Sequence, residues 1–166
     1  MDRFWTSQND ERWFFMALKE EIAQNLRRSM LDREELKTSV LRMLASSIKN
    51  YEIAKSGAGY EASDDEVLGV IQKEIKQRQD SIESFRIGNR EEMADKEEAE
   101  MKILQGYLPP QMTEGELRTL VKGAVSSSGA TSITQMGQVM GIMMPQVKGK
   151  ADGTLVSKMV KEELSK

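Results

Sequence analysis

The chain contains no cysteine and no histidine among its 166 residues. The first absence excludes disulfides, thiolate metal sites and a cysteine nucleophile, and permits a reducing compartment. The second removes the commonest general base and the commonest metal ligand together. Aromatic residues make up only 5% of the chain and proline occurs three times. That balance, with many Leu, Met, Glu and Lys residues, is the composition of a helical protein. No apolar run approaches the roughly 20 residues that span a bilayer, and no secretory pattern with a small-residue cleavage site is present. The resulting expectation is a cytoplasmic protein with no membrane partner. Net charge is weak, −3 with a pI near 5.3, which argues against a nonspecific coat on DNA. Nucleic-acid binding would have to come from a local basic patch on an acidic molecule.

What is present is mostly helical periodicity. Charged residues reach 31%, and a chain of this length buries roughly 70% of its unfolded surface, enough for one substantial core or two small ones. The fold class read from this is all-α, a helical N-terminal domain followed by a small three-helix C-terminal bundle. Residues 1–16 differ from the rest. Phe4, Trp5, Trp13, Phe14 and Phe15 stand there, before a natural-looking start at Met16. Two readings stay open, a vector-derived leader and an amphipathic helix that docks through its tryptophans.

From Ala17 onward, Leu18, Ile22 and Leu26 predict one helix, with Asp32 capping the next. Leu36, Val40, Leu44, Ile48 and Tyr51 predict the buried stripe of a second, ending near Lys55. Ser63 and Glu66 form a capping box for a third, which carries Val67, Ile71, Ile75, Ile82 and Phe85 and closes at Gly88-Asn89. Glu91 to Gln105 reads as a fourth. Gly106 and Pro109-Pro110 then interrupt the pattern, and Thr113 with Glu116 forms a second capping box. The domain limits drawn from this are 17–106, a proline linker at 107–112, and 113–166. In the last segment the pattern predicts a helix to about Val125, a turn at SSSGAT, a helix from about Thr134 to Met144, and a final helix from Gly153 to Leu164. Leu155, Val156, Met159, Val160 and Leu164 would form the inner face of that final helix.

The stretch GQVMGIMMPQVKGKADG, residues 137–153, joins two unlike halves. Gly137 and Gly141 lie four apart on one helix face, where each costs about 1 kcal/mol relative to alanine, so close approach of another backbone is expected to offset the loss. Met136, Met140, Met143 and Met144 supply adaptable apolar surface on the same helix. Pro145 is expected to break that helix. Lys148-Gly149-Lys150 then forms a basic turn, and Asp152 can cap the final helix. Lysines, free backbone amides and a helix N-terminus together favour an anion such as phosphate.

LRMLASSIKNYEIAK (41–55), VIQKEIKQRQDSIESF (70–85), YLPPQMTEGEL (107–117) and GQVMGIMMPQVKGKADGTLVSKMVKEEL (137–164) together resemble the YqeY family. That family is similar to the C-terminal tail of the GatB subunit of tRNA-dependent amidotransferases, where a glycine-rich helix, a KGKA turn and a following helix recur. The resemblance implies a link to glutamine-dependent transamidation of misacylated tRNA, in which the tail domain helps hold tRNA while other subunits do the chemistry. The implied partners are tRNA, and amidotransferase subunits or an aminoacyl-tRNA synthetase. The leader before Met16 departs from the family pattern.

The chain itself is expected to be no enzyme, with no catalytic residues, metal or cofactor. Amide transfer needs a nucleophile to release ammonia and a nucleotide site to activate a carboxylate, and no phosphate-binding Gly-Lys loop is present. Ser126-Ser127-Ser128-Gly129 resembles the serine-rich signature of amidases but is read as an ordinary turn. Glu91, Glu92, Asp95, Glu97, Glu98 and Glu100 are read as a solvated helix face. RNA-binding candidates are Lys148, Gly149, Lys150, Lys158 and Lys161, with the Gly137 and Gly141 face admitting a sugar-phosphate backbone. Lys73, Lys76 and Arg78 form a second candidate contact. The alternative is a protein-interaction adaptor that docks through its Met- and Gly-rich helix.

Overall fold

The computed structural model describes residues 17–56 and 59–166. The aromatic leader lies outside them, as does its docking-helix reading. Seven α-helices and one short 3-10 turn account for the described secondary structure, with no strand among these residues. Contacts divide the chain into two compact units, one ending at Leu108 and one spanning Pro109–Lys166.

The first unit contains α1 (Leu18–Leu31), α2 (Glu35–Ser56), α3 (Asp64–Ile87) and α4 (Glu91–Gln105). Leu18 and Ile22 of α1, Val40, Leu41, Leu44 and Ile48 of α2, Val67, Ile71 and Ile75 of α3, and Leu104 of α4 close one core. Each such side chain contributes about 1.5–3 kcal/mol when fully buried. The α3 capping box forms as its sequence implies, with Ser63 Oγ accepting from the Glu66 backbone N–H and Glu66 accepting from that of Ser63. Polar ties join distant segments. The Leu18 backbone N–H donates to Asp64 Oδ1 at 2.9 Å, and Asn25 Nδ2 donates to the Tyr107 hydroxyl at 2.9 Å.

Two local expectations change here, at Asp32 and Leu36, while Gly88-Asn89 closes α3 as expected. Asp32 closes α1, its backbone N–H bonding Arg28 O. It does not open α2, because Arg33 follows in the left-handed region at φ 57° and Glu34 O takes the first helical bond, from Thr38. Leu36 is 39% exposed while Leu41 is fully buried, so the inner face of α2 is rotated toward Leu41. Asn89, at φ 53°, is the left-handed residue after α3, and Gly88 keeps a negative φ.

The second unit is a three-helix core built from α5 (Glu114–Ser128), α6 (Met136–Val147) and α7 (Gly153–Leu164), with a 3-10 turn at Ile133–Gln135. Leu117, Val121 and Ala124 meet Val139, Met143 and Val147 from α6 and Val156, Met159, Val160 and Leu164 from α7. Thr113 and Glu116 form the capping box of α5. The serines at 126–128 are its last helical turn rather than a loop. Ser127 Oγ and Ser128 Oγ donate to Gly123 O and Val125 O, and Gly129 at φ 67° ends the helix. Pro145 lies inside α6 and does not end it. A proline removes the bond to the carbonyl four residues back and crowds it, and here that carbonyl belongs to Gly141, which is exposed to solvent. Leu155 is 41% exposed, which removes it from the inner face of α7. No helix among the described residues is long and apolar enough to cross a membrane.

Candidate functional site

The basic turn between α6 and α7 is anchored from the proline linker. Gln111 Nε2 donates to Gly149 O at 2.7 Å, and the Met112 backbone N–H donates to Lys150 O at 2.8 Å. Gly149 takes φ 74°, a conformation open to glycine at no steric cost. The backbone N–H groups of Lys150 and Ala151 turn back onto Val147 O at 2.8 and 3.0 Å. Asp152 Oδ1 then accepts from the Thr154 and Leu155 backbone N–H groups and starts α7. The acceptor at this helix N-terminus is therefore supplied by the chain.

Lys148 and Lys150 project from the turn and are exposed, as are Lys158 and Lys161. Val156, Met159 and Val160 face the core, which turns Lys158 outward, with Lys161 three residues on along the same side. No ion pair joins Lys150, Lys158 or Lys161 to a carboxylate among the described residues. Four cations thus lie along the turn and the outer face of α7.

Gly137 and Gly141 are exposed on α6. A Cβ added at either would meet nothing within 4 Å, so the expected close approach of another backbone does not occur within the described chain. The reason is the helical phase. Val139, Met143 and Val147 turn inward, which carries the glycines round to solvent. The methionines divide accordingly. Met143 is fully buried, Met136 and Met140 pack against the core in part, and Met144 is 41% exposed.

In the first unit, Lys73 and Lys76 are exposed on α3, but Arg78 is only 6% exposed. Its guanidinium donates to Glu74 at 3.0 Å and to Glu100 at 3.2 Å, and Glu74 also accepts from Ser47 Oγ at 2.7 Å. Arg78 is therefore the centre of a polar seam linking α2, α3 and α4, and it is corrected from a candidate RNA contact to an internal ion pair. Glu100 leaves the solvated acidic face for the same reason. Glu100 and Arg78 lie 22 residues apart in sequence, where no local pattern marks the pair.

Two carboxylates that spacing does not single out as hubs organise the opposite end of this unit. Buried Glu52 accepts from Lys19 Nζ and from the Ala62 backbone N–H, and these donors, Lys19 first, hold its carboxyl below the ordinary range. Glu66 accepts from the Ser63 backbone N–H, Lys55 Nζ and the Tyr60 and Tyr51 hydroxyls, all at 2.8–3.0 Å. The Ser63 amide is the largest cause of its strongly lowered pKa, followed by Lys55 and Tyr60. The same contact raises Lys55 and Tyr60 above their ordinary values. These groups are bonded to one another and clamp the α2–α3 connection. Among the described residues no cluster of three or more acidic side chains is arranged to hold a metal ion.

A family model described as a Yqey-like protein matches residues 19–164. Among curated relatives, the protein named "Altered inheritance of mitochondria protein 41, mitochondrial" from Pyrenophora tritici-repentis is 34% identical over 146 residues, covering 85% of this chain and 77% of the relative. Proteins of the same name from Vanderwaltozyma polyspora and Saccharomyces cerevisiae are 33% and 30% identical, over 63% and 70% of this chain. The chain spans 56% and 65% of those two relatives, less than two thirds of their length. The relatives' names overturn the cytoplasmic expectation. That expectation rested on the lack of an apolar segment, a test blind to mitochondrial targeting, which uses amphipathic, arginine-rich signals instead.

Proposed function

The chain belongs to the YqeY family, and from that premise we propose that it is a non-catalytic, mitochondrial RNA-binding module whose second unit holds the phosphate backbone of folded tRNA. The observation that carries this reading is the set of exposed lysines, Lys148 and Lys150 on the anchored turn and Lys158 and Lys161 on the outer face of α7. A lysine contributes a compact point charge to a phosphate, and four of them on one small helical unit make a local cationic surface on a chain of net charge −3. Residues 109–166 contain no Phe, Trp or Tyr. Such a surface has no platform on which to stack unpaired bases, so it suits the backbone and shape of a folded RNA. The solvent-open glycines at 137 and 141 leave room for a sugar-phosphate chain beside α6.

In this reading the protein assists glutamine-dependent transamidation of misacylated tRNA by holding the RNA, and amidotransferase subunits or a synthetase supply the chemistry. Affinity is modest and falls steeply with ionic strength, with a slope of log affinity on log salt of about −3 to −4 for four phosphate contacts. The test is fluorescence anisotropy of folded tRNA at two salt concentrations, with duplex DNA of matched length as control. The parent binds tRNA in a salt-dependent manner, and a folded Lys148→Glu/Lys150→Glu variant loses at least about tenfold in affinity. Absence of tRNA binding by the parent at low salt sinks the proposal.

A further inference from the structure

We propose that the open groove between α5 and α6 is a docking site for the uncharged apolar face of an amphipathic helix from a partner protein. The inference stands independently of the RNA reading. The groove has a volume of about 480 Å³; its apolar lining includes Met112, Leu120, Gly123, Ala124 and Ile142, with Glu116 and the neutral polar Thr119 and Gln146 also on its surface. On α5 the lining positions recur at helical spacing from 116 to 127, a length of roughly 16 Å or three turns. That length accepts side chains at i, i+4 and i+7 of a second helix.

Charge identifies the occupant. Residues 123–147, which supply the end of α5, the connection and all of α6, contain no Asp, Glu, Lys or Arg, in a chain that is 31% charged. Ile133, Ile142 and Met144 are nonetheless substantially exposed on this segment. The one charged group in the groove, Glu116, is occupied by the Thr113 backbone N–H at 2.8 Å and the Thr113 hydroxyl at 2.9 Å. A phosphate laid here would meet no cation, and a charged side chain would lose its water without compensation. A neutral apolar ridge matches the surface, as in the charge-depleted centres of protein interfaces.

Backbone chemistry narrows the partner further. The walls are helices, whose backbone groups are bonded along the helix except at the Gly141 carbonyl facing Pro145, so the groove presents no strand edge to pair with an extended peptide. An occupant has to satisfy its own backbone groups, and a helix does so. Gly123 fits the same picture. It stands in the interior of α5, where glycine is disfavoured, and a Cβ there would meet nothing within 4 Å. No contact in the described chain accounts for it, whereas a helix lying across it would.

The test uses the full chain and a fluorescein-labelled amphipathic peptide of about five helical turns. The peptide carries Leu and Ala on one face and alternating Lys and Glu on the other, and a scrambled peptide of equal composition is the control. Gly123→Leu fills the groove from an open position, and Ile142→Gln removes apolar surface from the other wall. The parent binds the amphipathic peptide at least about tenfold more tightly than the scrambled one, with little dependence on salt. Both variants, folded by circular dichroism, lose at least about tenfold of that affinity and keep their affinity for tRNA. Equal binding of the two peptides overturns the proposal, as does unchanged binding by folded Gly123→Leu. Displacement of the peptide by tRNA assigns the groove to RNA instead. A parent dimer that Gly123→Leu dissociates assigns it to a second copy of this chain.

Discussion

Glu66 receives five donors, one from the backbone and four from side chains spread over residues 51–63. A carboxylate in such a setting is preferred in its charged form, which is why its pKa falls. The pH dependence follows from the sign of that shift. The unfolded chain titrates near ~4.3 and the folded group below it, so the folded state gains from Glu66 at every pH above that window. The gain is lost as pH falls through it toward the folded value. Glu52 and Glu116 are shifted in the same direction and add to the acid lability. Glu66→Gln should therefore lower stability at neutral pH, and the difference from the parent should shrink below ~4. Guanidinium unfolding at pH 7 and at pH 3 measures both. A difference that stays constant between the two would mean that the carboxylate charge is not what the clamp uses.

The helices of the second unit show how the same residue type serves different ends. Gly129 ends α5 at φ 67°, a region that costs a non-glycine residue about 1 kcal/mol. Gly123 lies in the interior of that helix with open space beside it. Gly129→Ala should accordingly destabilise the protein by about 1 kcal/mol, and Gly123→Ala should stabilise it by about 0.5–1 kcal/mol. Urea denaturation of the two variants distinguishes them by sign. The same outcome for both would contradict the conformations assigned here. Helix starts were legible in advance because a capping box is a local chemical arrangement. Ser63 with Glu66 and Thr113 with Glu116 both form as their spacing implies. Helix ends and phases were less so. The serines at 126–128 continue α5, and Pro145 stays within α6, because one missing hydrogen bond near a solvent-facing turn is tolerated when the inner face on either side is well packed.

For the molecule as a whole, each unit closes a core of its own. Residues 109–166 expressed alone should therefore fold and unfold cooperatively, with the low stability expected of so short a chain. Met143 is fully buried at the centre of that core, and Met143→Ala should remove about 2–5 kcal/mol. In the full chain the same substitution should shift only the unfolding of the second unit. Thermal and urea unfolding of the fragment, the parent and the variant check this. A fragment without a cooperative transition would mean that its core depends on the rest of the chain.

The sequence by itself determined the all-helical class, the two capping boxes and the family, because composition, 3.6-residue periodicity and ordered motifs are properties of neighbouring residues. It also marked the lysines of the basic turn, since a turn rich in Gly and Lys between two amphipathic segments has to be exposed. Tertiary structure alone decided what depends on residues far apart. Arg78 looked like a surface cation beside Lys73 and Lys76 until Glu74 and Glu100 closed around it. Gly137 and Gly141 looked like a packing face until the phase of α6 turned them to solvent. The groove between α5 and α6 has no signature in either helix taken singly. It arises from the way two largely apolar faces meet, and a one-dimensional pattern does not contain that geometry.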